Sequence, residues 1–216
     1  MSAKSTARDR RTRAAEPPAD PATMTPRQRE RRERLIEAGL ALLGDRDYED
    51  IQVKDVAEGA GVALGTLYNY FSSKEHLFAE VLIRWAAVLQ TSVSRRPLRP
   101  GTASERLTEV LQRAVRGFQR QPQLARLVSS LVMSQDTFAT EILQRLEQTT
   151  SASYLPVLAH LPEAEARAIL RVVQSVFGVS LREWSLGRRS IVDVYDSMAD
   201  VSRLLLDFRD PGSTAD

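Results

Sequence analysis

The chain has 216 residues, 43% of them hydrophobic, and a formal charge of +2. That apolar fraction excludes a largely disordered protein, and the absence of cysteine excludes a disulfide framework or a thiolate metal site. No run of about eighteen apolar residues is present to span a membrane. Met1 to Glu30 carries almost no large apolar side chain, so no secretory leader is expected and the protein is expected in the cytoplasm.

Residues 1–25 are rich in Ala, Pro, Arg and Asp without periodicity, and Pro17, Pro18 and Pro21 exclude a helix, so a disordered arm is expected there. Charge is concentrated at this end. Residues 1–34 hold ten Lys/Arg against five acids, a local charge of +5 that leaves −3 for the rest. Alone, this reads as a solvated tail; ahead of a groove-reading motif, Arg8 to Arg13 reads as an arm that follows phosphates.

A helix is predicted from Pro26, a residue suited to a first turn, to about Leu43, with Leu35, Ile36, Gly39, Leu40 and Leu43 on one face and Gly44 ending it. A short helix follows, carrying Val53, Val56, Ala57 and Ala60 at helical spacing. Gly61 stands where the chain must reverse, and only glycine enters the left-handed region without steric cost. A second short helix is predicted from Leu64 to Tyr70, with Leu67 and Phe71 inward and Thr66, Tyr68, Asn69 and Tyr70 outward or along its edge. A helix, a glycine turn and a helix with exposed hydrogen-bonding side chains is the build of a major-groove reader.

Ser73 suits the N-cap of a longer helix to about Ser94, whose apolar face is Leu77, Phe78, Val81, Leu82, Trp85, Val88 and Leu89. Arg96 to Gly101, with two prolines and a glycine, breaks the chain. Beyond it the pattern is helical throughout: Ser104 to Arg120, a helix opened by Pro122, Asp136 to about Leu158, one from Pro162 closed by Gly187, and a last from Ser190 to about Phe208. With no strand-like alternation, the fold class is all-α. The expected organisation is a basic arm over 1–25, a helix-turn-helix DNA-binding domain over 26–72 and a helical domain over 73–210.

The stretch from about Arg29 to Leu82 resembles the DNA-binding region of the TetR family of bacterial transcriptional regulators. The features that carry it fall in order: an arginine-rich start to a long helix, Tyr48 in the loop after it, Val56-Ala57, Ala60-Gly61-Val62, Gly65-Thr66-Leu67-Tyr68, Tyr70-Phe71, and Ser73-Lys74-Glu75 opening a further helix. Two positions depart from the pattern. Gln52 stands where a threonine usually caps the first motif helix and can still reach phosphate through its amide; Ala63 stands where serine is common and cannot. The resemblance implies a homodimer on a double-stranded DNA operator, with Gln52, Leu64, Gly65, Thr66, Tyr68, Asn69, Tyr70 and Lys74 as the DNA-facing set. Lys74 lies in a first turn, where the helix dipole disfavours a cation; in the family the matching lysine binds phosphate there. Tyr68 and Tyr70 are expected on the backbone or groove wall, and Asn69 and Thr66 are candidates for base contacts.

The large apolar residues of the second domain form a core on the simplest reading. In the family this domain encloses an effector pocket, and the resemblance makes Trp85, Leu89, Leu111, Val115, Phe118, Leu131, Phe138, Phe177, Leu181 and Trp184 its candidate lining. Gln112, Arg116, Ser130, Ser134 and Gln174 are candidate polar groups on it. Arg116, Arg120 and Arg126, near predicted helix ends, would pair with an anionic group on a large apolar ligand. Val172, Val176, Val179, Ile191, Val194 and Met198 lie on more than one face of the last two helices, spare apolar surface that a second subunit would bury around a two-fold axis. The family dimerises in this way, through a four-helix bundle. Arg120-Gln121-Pro122-Gln123-Leu124, the stretch from Trp184 to Arg189, and Asp193-Val194 are similar to the actinobacterial repressors of steroid catabolism, which respond to steroid acyl-CoA thioesters. Arginine-heavy usage, with lysine only at Lys4, Lys54 and Lys74, fits such a GC-rich source.

His76 and His160 have no carboxylate or second histidine at ligand spacing, so no metal is expected. No glycine-rich phosphate loop, nucleophile elbow or carboxylate pair occurs, so no cofactor and no catalytic residue is expected. The reading is a ligand-responsive transcriptional repressor. Two rivals stay open: an effector-free regulator, which a collapsed core would favour, and a helical enzyme, which paired titratable groups in a pocket would favour.

Overall fold

The computed structural model describes residues 18–207, the Ser94 side chain excepted. Among them nine α-helices follow one another: α1 Pro26–Asp45, α2 Val53–Gly59, α3 Leu64–Tyr68, α4 Lys74–Arg95, α5 Ala103–Arg120, α6 Pro122–Val132, α7 Thr137–Tyr154, α8 Glu163–Ser185 and α9 Ile191–Leu206. Short 3-10 turns lie at Pro21–Thr23, Tyr48–Asp50 and Leu155–Leu158, and no strand occurs among the described residues. The protein is all-α, with an N-terminal helix-turn-helix domain and a C-terminal helical domain.

Local chemistry sets most boundaries. Thr25 and Gln28 form a capping box at the start of α1, with Pro26 at its first position, and Ser73 accepts the His76 N–H at 2.8 Å to open α4. Gly61 (φ 65°) and Gly187 (φ 71°) take the left-handed conformation that reverses the chain after α2 and α8. Gly39 lets α1 and α4 approach, since a Cβ there would stand 2.9 Å from Val81 Cγ2. The break between α4 and α5 is tied down by Arg113, whose buried guanidinium donates to the Val93, Arg96 and Pro97 carbonyls and to Glu109.

Four expectations need correction. Gly44 does not end α1; it lies within the last turn, and the helix runs on to Asp45 because glycine is not required to take a positive φ there. The second motif helix stops at Tyr68, two residues early, as the Asn69 and Tyr70 N–H groups turn back to the Thr66 and Leu67 carbonyls. The end of the expected disordered arm is ordered. Asp20 caps the turn Pro21–Thr23, the Ala19 N–H donates to the Asn69 carbonyl at 3.0 Å, and Met24 is buried. Arg8 to Arg13 lies outside the described residues, as does Phe208. Finally, Val194 and Met198 are not spare surface: both are fully buried in the core, while Val172, Val179, Leu186, Val192 and Leu204 stay exposed.

Candidate DNA interface and effector cavity

The reading head is built on Val56, Leu67 and Phe71, all fully buried beneath α2 and α3. Their burial fixes which residues face out. Leu64 and Tyr68 are 43% and 47% exposed, Gly65 and Asn69 are exposed, and Thr66 is half-buried on the same short helix. Gln52 is exposed at the N-cap of α2, where its backbone N–H donates to Asp55. That bond, with Arg46 at 3.0 Å, holds the Asp55 carboxyl below its usual range.

Tyr70 turns inward instead, and the half-buried Lys74 turns onto the neighbouring loop. Tyr70 is 5% exposed, because α3 ends two residues before it and the following turn carries its ring into the core. The Lys74 ammonium donates to the Tyr48 carbonyl at 2.6 Å and lies 4.1 Å from the centre of the Tyr48 ring. Burial lowers its pKa. This lysine clamps the loop ahead of α2, and Tyr48 in turn packs edge-on against Phe78 at 5.2 Å. The candidate set also missed a cluster on α1: Arg27, Arg31 and Arg34 border a polar hollow with Gly61, Ala63 and Thr66. Their spacing of four and three residues, which puts them on one helical face, was the available signal.

In the second domain, α4 to α8 enclose a cavity of about 500 Å³. Trp85, Leu89, Phe118, Leu131, Phe177 and Leu181 line it, together with Leu82, Val128, Leu143, Leu146 and Tyr154. The other four expected residues do not. Leu111 and Val115 are sealed into the core packing of α5, and Trp184 packs against the core beyond the lining turns of α8. Phe138 stacks on His76, ring centres 4.9 Å apart and nearly parallel, at the seam between α4 and α7. His76 also accepts the Ser72 N–H through Nδ1, and burial lowers its pKa.

Of the expected polar groups only Gln174 reaches the cavity. Ser130 is bonded to Glu49 and Ser134 to the Asp136 N–H; Gln112 borders a separate hollow beside α9. Arg116 and Arg120 are exposed, and Arg126 is paired with Asp47. Arg182 is the arginine on the wall.

One helix touches both sites. On one face α6 contributes Ala125, Val128, Ser129, Leu131 and Val132 to the cavity. From another face Arg126 reaches Asp47 at 2.5 Å and Ser130 reaches Glu49 at 2.7 Å. Asp47 and Glu49 belong to the turn that leads into α2. A second link runs from Arg32 on α1 through Glu80 on α4, at 2.7 Å, to Arg145 on α7, at 3.6 Å.

Residues 35–81 match the family of bacterial regulatory proteins, tetR family, and residues 101–205 match the tetracyclin repressor-like C-terminal domain. The HTH-type transcriptional repressor KstR of Mycobacterium tuberculosis (strain H37Rv) is 30% identical over 184 residues, 85% of this chain and 84% of that protein. KstR of Mycolicibacterium smegmatis is 32% identical over 180 residues, 83% of this chain and 88% of that one. The chain belongs to the TetR family. It is a TetR-family transcriptional repressor similar to KstR, and its named relatives are regulators rather than enzymes. A TetR transcriptional regulator from Rhodococcus sp. RHA1 superposes with a TM-score of 0.73 at 25% identity, covering 88% of this chain and all of that one. Thermus thermophilus FadR, a TetR-family repressor solved in complex with lauroyl-CoA, shares the fold with a TM-score of 0.65 at 20% identity, over 81% of this chain and 92% of that one. Among the described residues no helix is long and apolar enough to cross a membrane.

Proposed function

We propose that this TetR-family repressor acts in the cytoplasm as a homodimer on a palindromic operator, and that a large apolar effector bearing an anionic group releases it. A steroid or fatty acyl-CoA thioester is the class of effector that fits. The observation that carries this reading is the cavity, about 500 Å³ and walled mainly by aliphatic and aromatic side chains, within the span of roughly 300–1,000 Å³ usual for small-molecule sites. A collapsed core would have favoured an effector-free regulator. FadR, which shares the fold, was solved with lauroyl-CoA, a ligand of that class, and this supports the reading. The apolar body would fill the cavity and the coenzyme would stay outside, past the exposed rim residues Gln144, Glu147 and Arg182.

On DNA, the exposed face of α3 enters the major groove. Thr66 and Asn69 read base edges, Gln52, Leu64, Gly65 and Tyr68 meet the backbone or groove wall, and Arg27, Arg31 and Arg34 pair with flanking phosphates. Tyr70, from within, and Lys74, through its clamp on the loop, hold the head in shape. Asn69→Ala or Thr66→Ala should therefore alter which sites are preferred, at a cost of about 1–3 kcal/mol per lost base contact. Selecting sites from a random DNA pool checks this: the parent and each variant should recover different motifs, and identical motifs for all three would remove base reading from both residues.

A further inference from the structure

Several polar groups of the cavity wall are committed to partners within the protein. Ser129 donates to the Ala125 carbonyl, Thr140 to the Asp136 carbonyl and Ser175 to the Arg171 carbonyl, at 2.9–3.0 Å and within their own helices or caps. Gln174 accepts from Ser151 at 3.1 Å and donates to the Glu147 carbonyl at 3.4 Å. Gln144, Glu147 and Arg182 are exposed at the rim and keep their water, and Thr150 is only half-buried.

Tyr154 differs. It is the last residue of α7, stands on the cavity wall and is 5% exposed, yet its hydroxyl has no hydrogen-bond partner among the described residues. Tyr154 lines the cavity, and its hydroxyl is not among the sealed, unpaired polar atoms of the described residues. An apolar body filling the cavity would strip solvent from that hydroxyl and leave the donor unpaired, a cost that phenylalanine in the same wall would not carry. The hydroxyl is matched when an acceptor arrives in the cavity.

We infer that Tyr154 donates a hydrogen bond to a neutral oxygen, a ketone or hydroxyl, carried by the apolar body of the effector, so that the cavity selects oxygenated ligands over pure hydrocarbon ones. This rests on the reading that the cavity takes an effector. Burial pushes the Tyr154 pKa up to about 12, which keeps the phenol a donor across the physiological range. A site built around one buried donor discriminates against an analogue lacking the acceptor, because the donor is then left unpaired.

Two matched ligand pairs test this, each differing by one oxygen: androstanone against androstane, and ω-hydroxylauroyl-CoA against lauroyl-CoA. Affinities would be measured calorimetrically for the parent dimer and for Tyr154→Phe. The parent should bind the oxygenated member of at least one pair about tenfold more tightly. Tyr154→Phe should bind both members of that pair equally, and the hydrocarbon member no more weakly than the parent does. No preference in the parent, or a preference that survives Tyr154→Phe, would overturn the assignment of Tyr154. Failure of all four probes to bind either protein would instead refute the effector reading beneath it.

Discussion

Replacing Val172 and Val179 together with glutamate should give a monomer that binds the operator on the order of a thousandfold more weakly than the parent. The two valines are 46% and 47% exposed and lie seven residues apart on α8, in line with Leu186 at 52%. Seven residues are two helical turns, so the three form one outer stripe, and the exposed Val192 and Leu204 extend apolar surface onto α9. In the proposed homodimer a second copy would cover this stripe, a two-fold axis setting each stripe against its own copy. Glutamates in that position would have to be desolvated beside like charges, which removes the gain from burial. Two linked heads read half-sites about 34 Å apart, and a monomer forfeits the second contact. Sedimentation and operator titration at one salt concentration check both halves of the expectation. A variant that stays dimeric, or a monomer with full affinity, would move the interface elsewhere.

Arg126→Ala should leave operator affinity and folding nearly unchanged while blunting release by effector. Arg126 and Asp47 are partly exposed, with side chains 36% and 41% accessible, so their pairing contributes only about 0–1 kcal/mol to stability. Its importance lies in its position. The helix that lines the cavity holds, through Arg126 and Ser130, the turn that sets the start of α2. On the proposed reading, a ligand that pushes α6 outward would move Asp47 and Glu49, and with them the reading head. Couplings of this kind change affinity by about 5–150-fold, and the variant should lose most of that factor. Operator affinity measured with and without saturating acyl-CoA, for parent and variant, gives the coupling directly. An unchanged ratio would show that the signal travels by another route, such as Arg32, Glu80 and Arg145.

The parts of the fold governed by neighbouring residues were legible in the sequence. Ser73 as a cap, Pro26 and Pro122 in first turns, and Gly61 and Gly187 at reversals each follow from local backbone chemistry, and each stands as expected. The direction of a single side chain was less so. Tyr68 and Tyr70 look alike in the sequence, and only the end of α3 between them sends one out and the other in. Lys74 has a stem long enough to choose between a phosphate and the Tyr48 carbonyl, and helical position does not decide that choice. The cavity was hardest to read. Leu111, Val115 and Phe118 share the buried face of α5, but periodicity marks only what is buried, not whether a void or a side chain lies opposite. Pairs such as Arg126 and Asp47 join segments 79 residues apart, a contact no local pattern encodes.

The central claim, that occupancy of the cavity releases DNA, is tested most directly by titrating steroid and fatty acyl-CoA thioesters into the protein–operator complex. Release at micromolar ligand, corresponding to about −8 kcal/mol of binding, is the predicted result. A complex that persists with every one of these thioesters, at concentrations where they demonstrably bind the free protein, would contradict it.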